Sequence, residues 1–301
     1  MIPVSVIICT RDRGRALRQA LDSVAAAAEV AASGASTEII LVDNGSRDAT
    51  AAIAKEWASS SNIPVTIIFE PRQGLAIARN SGLRHASGSI LVFTDDDCRL
   101  ASDYLKRTLA HYSMDRGPVI RGGRIELGDP TDLPFTIKTG TKDLVLTSIF
   151  DRDGFIAGCN MTMRSDVPQI IGVFDERFGA GTPLKSGEET DLIYRAYAAG
   201  IPVEYRGDMV VYHWHGRKDI DEIKKVHRGY CIGTGALRAK HGILGLIRFT
   251  YYDVREMLRE EFERIPSRVK LGLTQRSVVW WTFVGMMLYV AHFARRRSSS
   301  E

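Results

Sequence analysis

Three consecutive carboxylates, Asp95, Asp96 and Asp97, follow Thr94 at the end of an apolar run over 89–93. The β-branched and aromatic character of that run, preceded by Ser87 and Gly88, predicts a buried strand. Three carboxylates at the tip of a buried strand repel one another and cost stability unless a cation or hydrogen-bond donors compensate them. A loop at the carboxyl end of a parallel strand is also where open α/β sheets bind ligands. The trio fits a divalent-cation site, with Mg²⁺ or Mn²⁺ holding a phosphorylated substrate. A solvated acidic turn or a helix cap would use the same residues.

A second acidic group, Glu188, Glu189 and Asp191, falls in the first turn of a helix predicted over 188–199, which stops at Gly200 with Pro202 just beyond. Ser186 and Glu189 fit a capping box, and acids suit a helix N-terminus. A carboxylate at such a position can also act as a general base toward an attacking hydroxyl. His213 and His215 flank Trp214 at another predicted strand end, where alternation points both imidazoles to one face. One of them is a candidate metal ligand.

The elements that must position these groups alternate. Apolar runs over 4–9, 38–42, 65–69 and 89–93 read as strands. Between them lie helical patterns: a stripe of Leu17, Ala20, Leu21 and Val24, a second carrying Ile53, Ala54 and Trp57, and a third over 75–86. Four strands joined by helical crossovers predict an α/β chain with a mostly parallel sheet and helices on both faces. The dinucleotide fingerprint is missing, since Thr10 to Gly14 holds one glycine where three are needed, and there is no Walker loop. Later in the chain, 127–154 reads as a variable substrate-facing excursion and 158–163 as a strand. A short helix over 167–172 and short strands over 203–205 and 209–212 follow.

Composition narrows the function class. The chain has 301 residues, 45% hydrophobic and 25% charged, which excludes wholesale disorder. A net charge of +4 without basic-aromatic alternation gives no case for nucleic acid. The four cysteines are scattered, with Cys9 and Cys98 expected at the ends of neighbouring strands, and a reducing compartment suits them. No signal peptide is expected, because charge begins at Arg11. Near the C-terminus, 250–264 carries a stripe of Val254, Leu258 and Phe262. The stretch 278–293 is apolar nearly all round, with arginines on both sides. At about 16 residues it falls short of the roughly 20 that span a bilayer. It fits a helix buried on the domain or in a dimer interface, or an interfacial anchor over 278–297.

Seven stretches together carry a family resemblance: 4–13 (VSVIICTRDR), 40–46 (ILVDNGS), 74–80 (GLAIARN), 88–97 (GSILVFTDDD), 158–160 (GCN), 172–176 (GVFDE) and 187–192 (GEETDL). In order and spacing the chain resembles family 2 glycosyltransferases of the glycosyltransferase-A (GT-A) fold, over roughly 3–215. The resemblance implies an inverting transfer from a nucleoside-diphosphate sugar, with a divalent metal (Mn²⁺ or Mg²⁺), to a glycan or lipid-linked acceptor. By the same analogy Thr10, Asp12, Asp43, Arg79, Asn80, Asp95 and Asp96 line the nucleotide-sugar pocket, with Arg79 near the diphosphate. Asp97, Asp95 and His213 would be the metal ligands, and Gly158 and Asn160 would lie on the acceptor side. Many relatives have Glu-Asp where this chain has Glu188-Glu189, so Glu189 becomes the expected base, with Glu188 and Asp191 as rivals. The implied organisation is a catalytic domain over 1–218, with a donor half over 1–126 and an acceptor half over 127–218. A helical extension over 219–301 follows, with a cytoplasmic location at the inner face of the cell membrane. A non-catalytic nucleotide-sugar binder and a sugar-phosphate nucleotidyltransferase are the rival functions.

Overall fold

A computed structural model describes residues 2–31, 34–148, 154–242 and 274–292. The first strand, β1 (Ile2–Thr10), is followed by α1 (Gly14–Ala31), β2 (Ala35–Asp43), α2 (Thr50–Ser60), β3 (Val65–Phe69), α3 (Leu75–His85) and β4 (Ile90–Asp95). β1 pairs in parallel with β2 and β4, and β2 with β3, as alternating strand and helix predict. Thr10 lies opposite Asp43, Asp43 opposite Phe69, and Cys9 opposite Asp95. The carboxyl ends of four strands therefore line up along one edge, and every loop with candidate chemistry in the first hundred residues leaves from that edge.

Period-two alternation divides the strands between two cores. Val4, Val6, Ile8, Ile39, Leu41, Ile90 and Val92 face one side, covered by Leu17, Leu21 and Val24 of α1 and by Tyr104 and Leu105 of α4 (Tyr104–Tyr112). Ile7, Ile40, Val42, Leu91 and Phe93 face the other, against Ala76 and Ala78 of α3. That side also takes Val167 of α5 (Val167–Ile171) and Leu192, Ile193 and Ala196 of α6 (Glu188–Ala198). Each such side chain contributes about 1.5–3 kcal/mol relative to exposure, which is why the sheet survives the charge crowded at its edge.

The rest of the sheet is mixed. β5 (Cys98–Leu100), β6 (Ile120–Leu127), β7 (Leu144–Val145), β8 (Met161–Arg164) and β9 (Val203–His213) complete the order β3-β2-β1-β4-β8-β6-β9-β5, with β7 also on β9. Three expectations change here. The stretch 158–163 opens as a 3-10 turn over Gly158–Asn160 before β8 begins. The two short strands at 203–205 and 209–212 form one strand, bulged where the register slips between Gly123 and Arg124. Cys98 starts β5 on the far side of the sheet order from Cys9 in β1, because the chain turns after Asp97 to pair with β9.

The chain divides into two compact units, Met1–Asp175 with Glu189–Gly216, and Glu176–Glu188 with Arg217–Glu301. The segment 176–188, expected in the acceptor half, thus groups with the C-terminal helices. Its Phe178 and Leu184 pack with Ala236 and Leu237 of α7 (Ile220–His241), and Ser186 Oγ donates to Gly229 O at 3.1 Å. The last described helix, α8 (Gln275–His292), crosses α7 at small residues: a Cβ on Gly235 would meet Thr282 O, and one on Gly285 would meet Ile232 O. The opposite face of α8 exposes Trp280, Phe283, Met287 and Val290. Among the described residues no helix is long and apolar enough to cross a membrane. The stripe over 250–264 and the arginines at 295–297 lie outside the described residues.

Candidate active site

The loops after β1, β2 and β3 are stitched together by short polar side chains. Asp12 takes a left-handed backbone (φ 53°). Its N–H donates to Ser46 Oγ at 3.0 Å, and its Oδ1 accepts from Arg47 N at 2.6 Å. Asp43 accepts from Ser46 N at 2.8 Å, which closes the turn after β2. Asn44 then spans to the next loop, donating to Glu70 O and Arg72 O and accepting from Gly74 N. Asp12 and Asp43, expected around the nucleoside, thus hold these loops together.

The acid trio sits beside these loops, and its carboxylates differ in their partners, although Arg13 reaches both Asp96, at 3.5 Å, and Asp97. Asp95, 31% exposed at its side chain, accepts from Arg79 Nη2 at 3.2 Å. Asp96 is buried and accepts from Thr10 Oγ1 at 2.7 Å. Asp97 is buried, paired with the Arg13 guanidinium, and lies 3.4 Å from His213 Nε2. Burial pushes the Asp96 carboxyl up to about 7, with its acidic neighbours adding to the effect against the pull of Arg13 and Thr10. For Asp97 burial acts in the same direction, but the His213 hydrogen bond and charge, together with Arg13, hold it well below the usual range. His213 is correspondingly raised to about 9, the Asp97 contact outweighing the effect of burial.

His213 ends β9 directly opposite Cys98 of β5. Its Nδ1 lies 3.2 Å from Thr136 Oγ1, so its Nε2 is directed toward Asp97. Thr136 holds a left-handed backbone (φ 56°) within the excursion at 127–154. His215 packs edge-on against His213 and lies 3.6 Å from Asp132, which also accepts from Gly216 N. Asp97, Cys98 and His213 could together hold a metal ion, so the donor chemistry fits one.

Several expected site residues serve the frame. Arg79 is buried beneath Gly158, where a Cβ would come within 2.5 Å of its Nη2, and stacks on Phe174. It reaches the site through Asp95. Asn80 exchanges two hydrogen bonds with the Phe174 backbone, at 2.9 and 3.0 Å. Gly158 and Asn160, expected on the acceptor side, are both buried. Asn160 accepts from Tyr104 Oη and donates to Arg124 O and Met209 O, so its polar atoms are directed into the protein. Asp191 is fully buried and paired with Arg195, whose guanidinium also reaches the carbonyls of 171–173. Glu188 is buried as well, while Glu189 is half-buried. The sequence reading missed Arg13 and Thr136. Arg13 stands in the quoted 4–13 stretch, whereas Thr136 lies in an irregular loop with no pattern to single it out.

Residues 5–167, more than half of the chain, match glycosyl transferase family 2, and the chain belongs to that family. Glycosyltransferase AglE from Haloferax volcanii is 27% identical over 177 residues, which is 58% of this chain and 56% of that protein; the chain thus spans little more than half of that relative's length. Among solved structures, the mannosyltransferase PcManGT from Pyrobaculum calidifontis, in complex with GDP-Man and Mn²⁺, gives a TM-score of 0.55 at 15% identity. That match covers 99% of this chain and 76% of that one. Residues 1–349 of S. aureus TarS, in complex with UDP, give 0.57 at 16% identity, covering 99% and 92%. The fold is accordingly the glycosyltransferase-A fold, a mixed α/β sheet with flanking helices.

Proposed function

We propose that this chain is an inverting glycosyltransferase that moves a sugar from a nucleoside-diphosphate donor to a hydroxyl of a glycan or lipid-linked glycan. The observation that carries this reading is the acid trio at the aligned strand ends, set beside His213 and two guanidiniums. A divalent ion at Asp97 and His213, Mn²⁺ or Mg²⁺ in the first instance, would neutralise the departing diphosphate as negative charge grows on its oxygens. Thr10, Asp12 and Asp43 line the nucleoside side, and Asp95 stands nearest solvent for the donor's ribose and phosphates. The acceptor oxygen attacks the anomeric carbon while the bond to the diphosphate oxygen breaks, and the acceptor's proton passes to a carboxylate. One displacement of this kind inverts the configuration.

Glu189 is the base this reading favours. It is half-buried in the first turn of α6, whereas the Asp191 carboxylate is engaged by Arg195 within the core. The GDP-Man and UDP bound by the structural relatives support the donor class. The exposed apolar face of α8, with Arg228 over the Trp281 ring at 4.5 Å, supports a peripheral contact with an anionic cytoplasmic membrane, which would bring a lipid-linked acceptor within reach.

The test is a nucleotide-sugar panel scored by metal-dependent thermal stabilisation. A ligand at 100 times its Kd stabilises by about 2.7 kcal/mol. Glu189→Gln should retain that stabilisation while turnover falls by about 10²–10⁴-fold. A near-normal Glu189→Gln beside an inactive Asp191→Asn would reassign the base. Donor stabilisation with no turnover on any acceptor would favour a non-catalytic binder.

A further inference from the structure

We infer that Cys98 is a sulfur donor to the cation site, so that this chain binds a thiophilic divalent ion such as Zn²⁺ or Co²⁺ more tightly than Mg²⁺. The inference rests on the metal-dependent reading above and adds a ligand to it. Antiparallel pairing sets Cys98 directly opposite His213, and side chains at directly opposed positions lie side by side on one face. The Cys98 Sγ is 3.7 Å from Asp97 Oδ1, and His213 Nε2 is 3.4 Å from the same oxygen. All three donor atoms lie within 4.8 Å of one another.

A tetrahedral ion with oxygen and nitrogen at about 2.0–2.1 Å and sulfur at about 2.3 Å holds its donors roughly 3.3–3.6 Å apart. The two distances to Asp97 are therefore close to those of a formed site. Three protein donors leave a fourth position for a water or substrate oxygen, as in catalytic zinc centres. Thr136 at the far nitrogen of His213 supplies the outer contact that fixes a ligating imidazole.

A buried cysteine is ordinarily an inert small hydrophobe, and the carbon side of Cys98 does join the core around Tyr104 and Val211. The sulfur, however, lies between Asp97 and His213 on one side and the Cys159 thiol on the other. Coordination replaces the S–H bond with an S–metal bond and releases the proton to solvent. Thiolate ligands favour softer ions, whereas Mg²⁺ requires oxygen in an octahedral shell.

The experiment loads the full-length, chelator-stripped chain with Co²⁺ and records its absorption spectrum. The expected result is a near-ultraviolet sulfur-to-cobalt band accompanied by tetrahedral visible bands. Cys98→Ser should lose the near-ultraviolet band and bind Zn²⁺ at least about 10-fold more weakly, and Thr136→Val should weaken Zn²⁺ by a similar factor. Asp97→Asn should lose both sets of bands, while Cys159→Ser keeps them. X-ray absorption on the zinc-loaded wild-type chain needs no variant and should show a sulfur scatterer at about 2.3 Å. Visible bands that depend on Asp97, with no sulfur band and no sulfur scatterer, would overturn the Cys98 assignment and leave the metal reading standing. Cobalt binding that ignores Asp97 would overturn both.

Discussion

Asn160→Ala separates the two roles that the residue has been given. Its side chain is wholly buried, accepting from Tyr104 Oη at 2.7 Å and donating to Arg124 O and Met209 O at 2.9 Å each. These bonds tie α4, β6 and β9 at one point. Truncation leaves a buried phenol and two carbonyls each one partner short, and an unsatisfied buried group costs about 1–3 kcal/mol. The carbonyls retain a second lone pair, so about 1 kcal/mol for each and 1–3 for the phenol give a loss of about 3–5 kcal/mol. At about 2–4 °C per kcal/mol for a domain of this size, the melting temperature should fall by about 6–20 °C. Circular-dichroism melts of wild type and variant measure that fall, and acceptor KM is compared below both transitions. An unchanged melt with a raised acceptor KM would refute the structural assignment and return Asn160 to the acceptor side.

Arg13→Gln removes a 43%-exposed guanidinium from the buried Asp97 carboxylate, a contact between the exposed-pair and buried-pair limits and so worth about 1–3 kcal/mol. It should lower the metal-free melting temperature yet tighten Mn²⁺ several-fold by calorimetry, and weaker Mn²⁺ binding would mean that Arg13 cooperates with the ion. Glu38 accepts from Ser5 Oγ, Ser87 N and Ser87 Oγ. Burial would raise its pKa, but these hydrogen bonds hold it below its ordinary 4.5. That stability is present above pH 4.5 and is lost as pH falls through the folded-state value, so Glu38→Gln should flatten the pH dependence of melting on the acid side only. For the tail, Trp280→Ser with Phe283→Ser should abolish co-sedimentation with anionic vesicles while leaving the melt nearly unchanged, because these side chains lie on the face of α8 away from α7. Co-sedimentation that persists, or a full-length chain that never sediments, would remove the membrane reading.

What was legible in the sequence follows from length and locality. Strands β1 to β4 are runs of five or more residues bounded by turn chemistry, so their apolar character alone identified them and the edge they share. β5 spans three residues, too few to show a period, and the charged and glycine residues 121–124 break the apolar pattern of β6, so neither strand stands out in the sequence; with β5 goes the pairing that sets Cys98 against His213. β9 was read as two strands because Gly207 and Asp208 interrupt the apolar pattern, whereas a bulge carries the pairing across them. The acid trio and His213 were visible because their residue types are unusual at strand ends. Side-chain direction was not visible. Nothing local tells that Asn160 faces inward, or that Thr136 reaches a histidine 77 residues away. Such contacts are set by the sheet order, which pattern reading does not supply.

The trio itself shows how a run that should be unstable is accommodated. Three equivalent carboxylates at neighbouring positions would repel one another with little water to screen them. The chain makes them inequivalent by drawing partners from four places: Arg79 from α3 for Asp95, Thr10 from β1 for Asp96, and Arg13 with His213 for Asp97. Burial outweighs the Thr10 hydroxyl and the Arg13 guanidinium 3.5 Å away and lets Asp96 keep a proton up to about pH 7, while Asp97 stays ionised throughout the neutral range. Near neutrality Asp97 therefore carries its negative charge between two cationic partners, Arg13 and His213. A divalent ion at Asp97 would meet a carboxylate already paired, so its binding energy would be the difference between its own contact and that of Arg13. A half-exposed arginine on a turn can yield that contact, whereas the buried imidazole opposite, fixed by Thr136, would stay in place as a donor. On the proposed reading, metal dependence would be set as much by the ease of displacing Arg13 as by the carboxylates themselves.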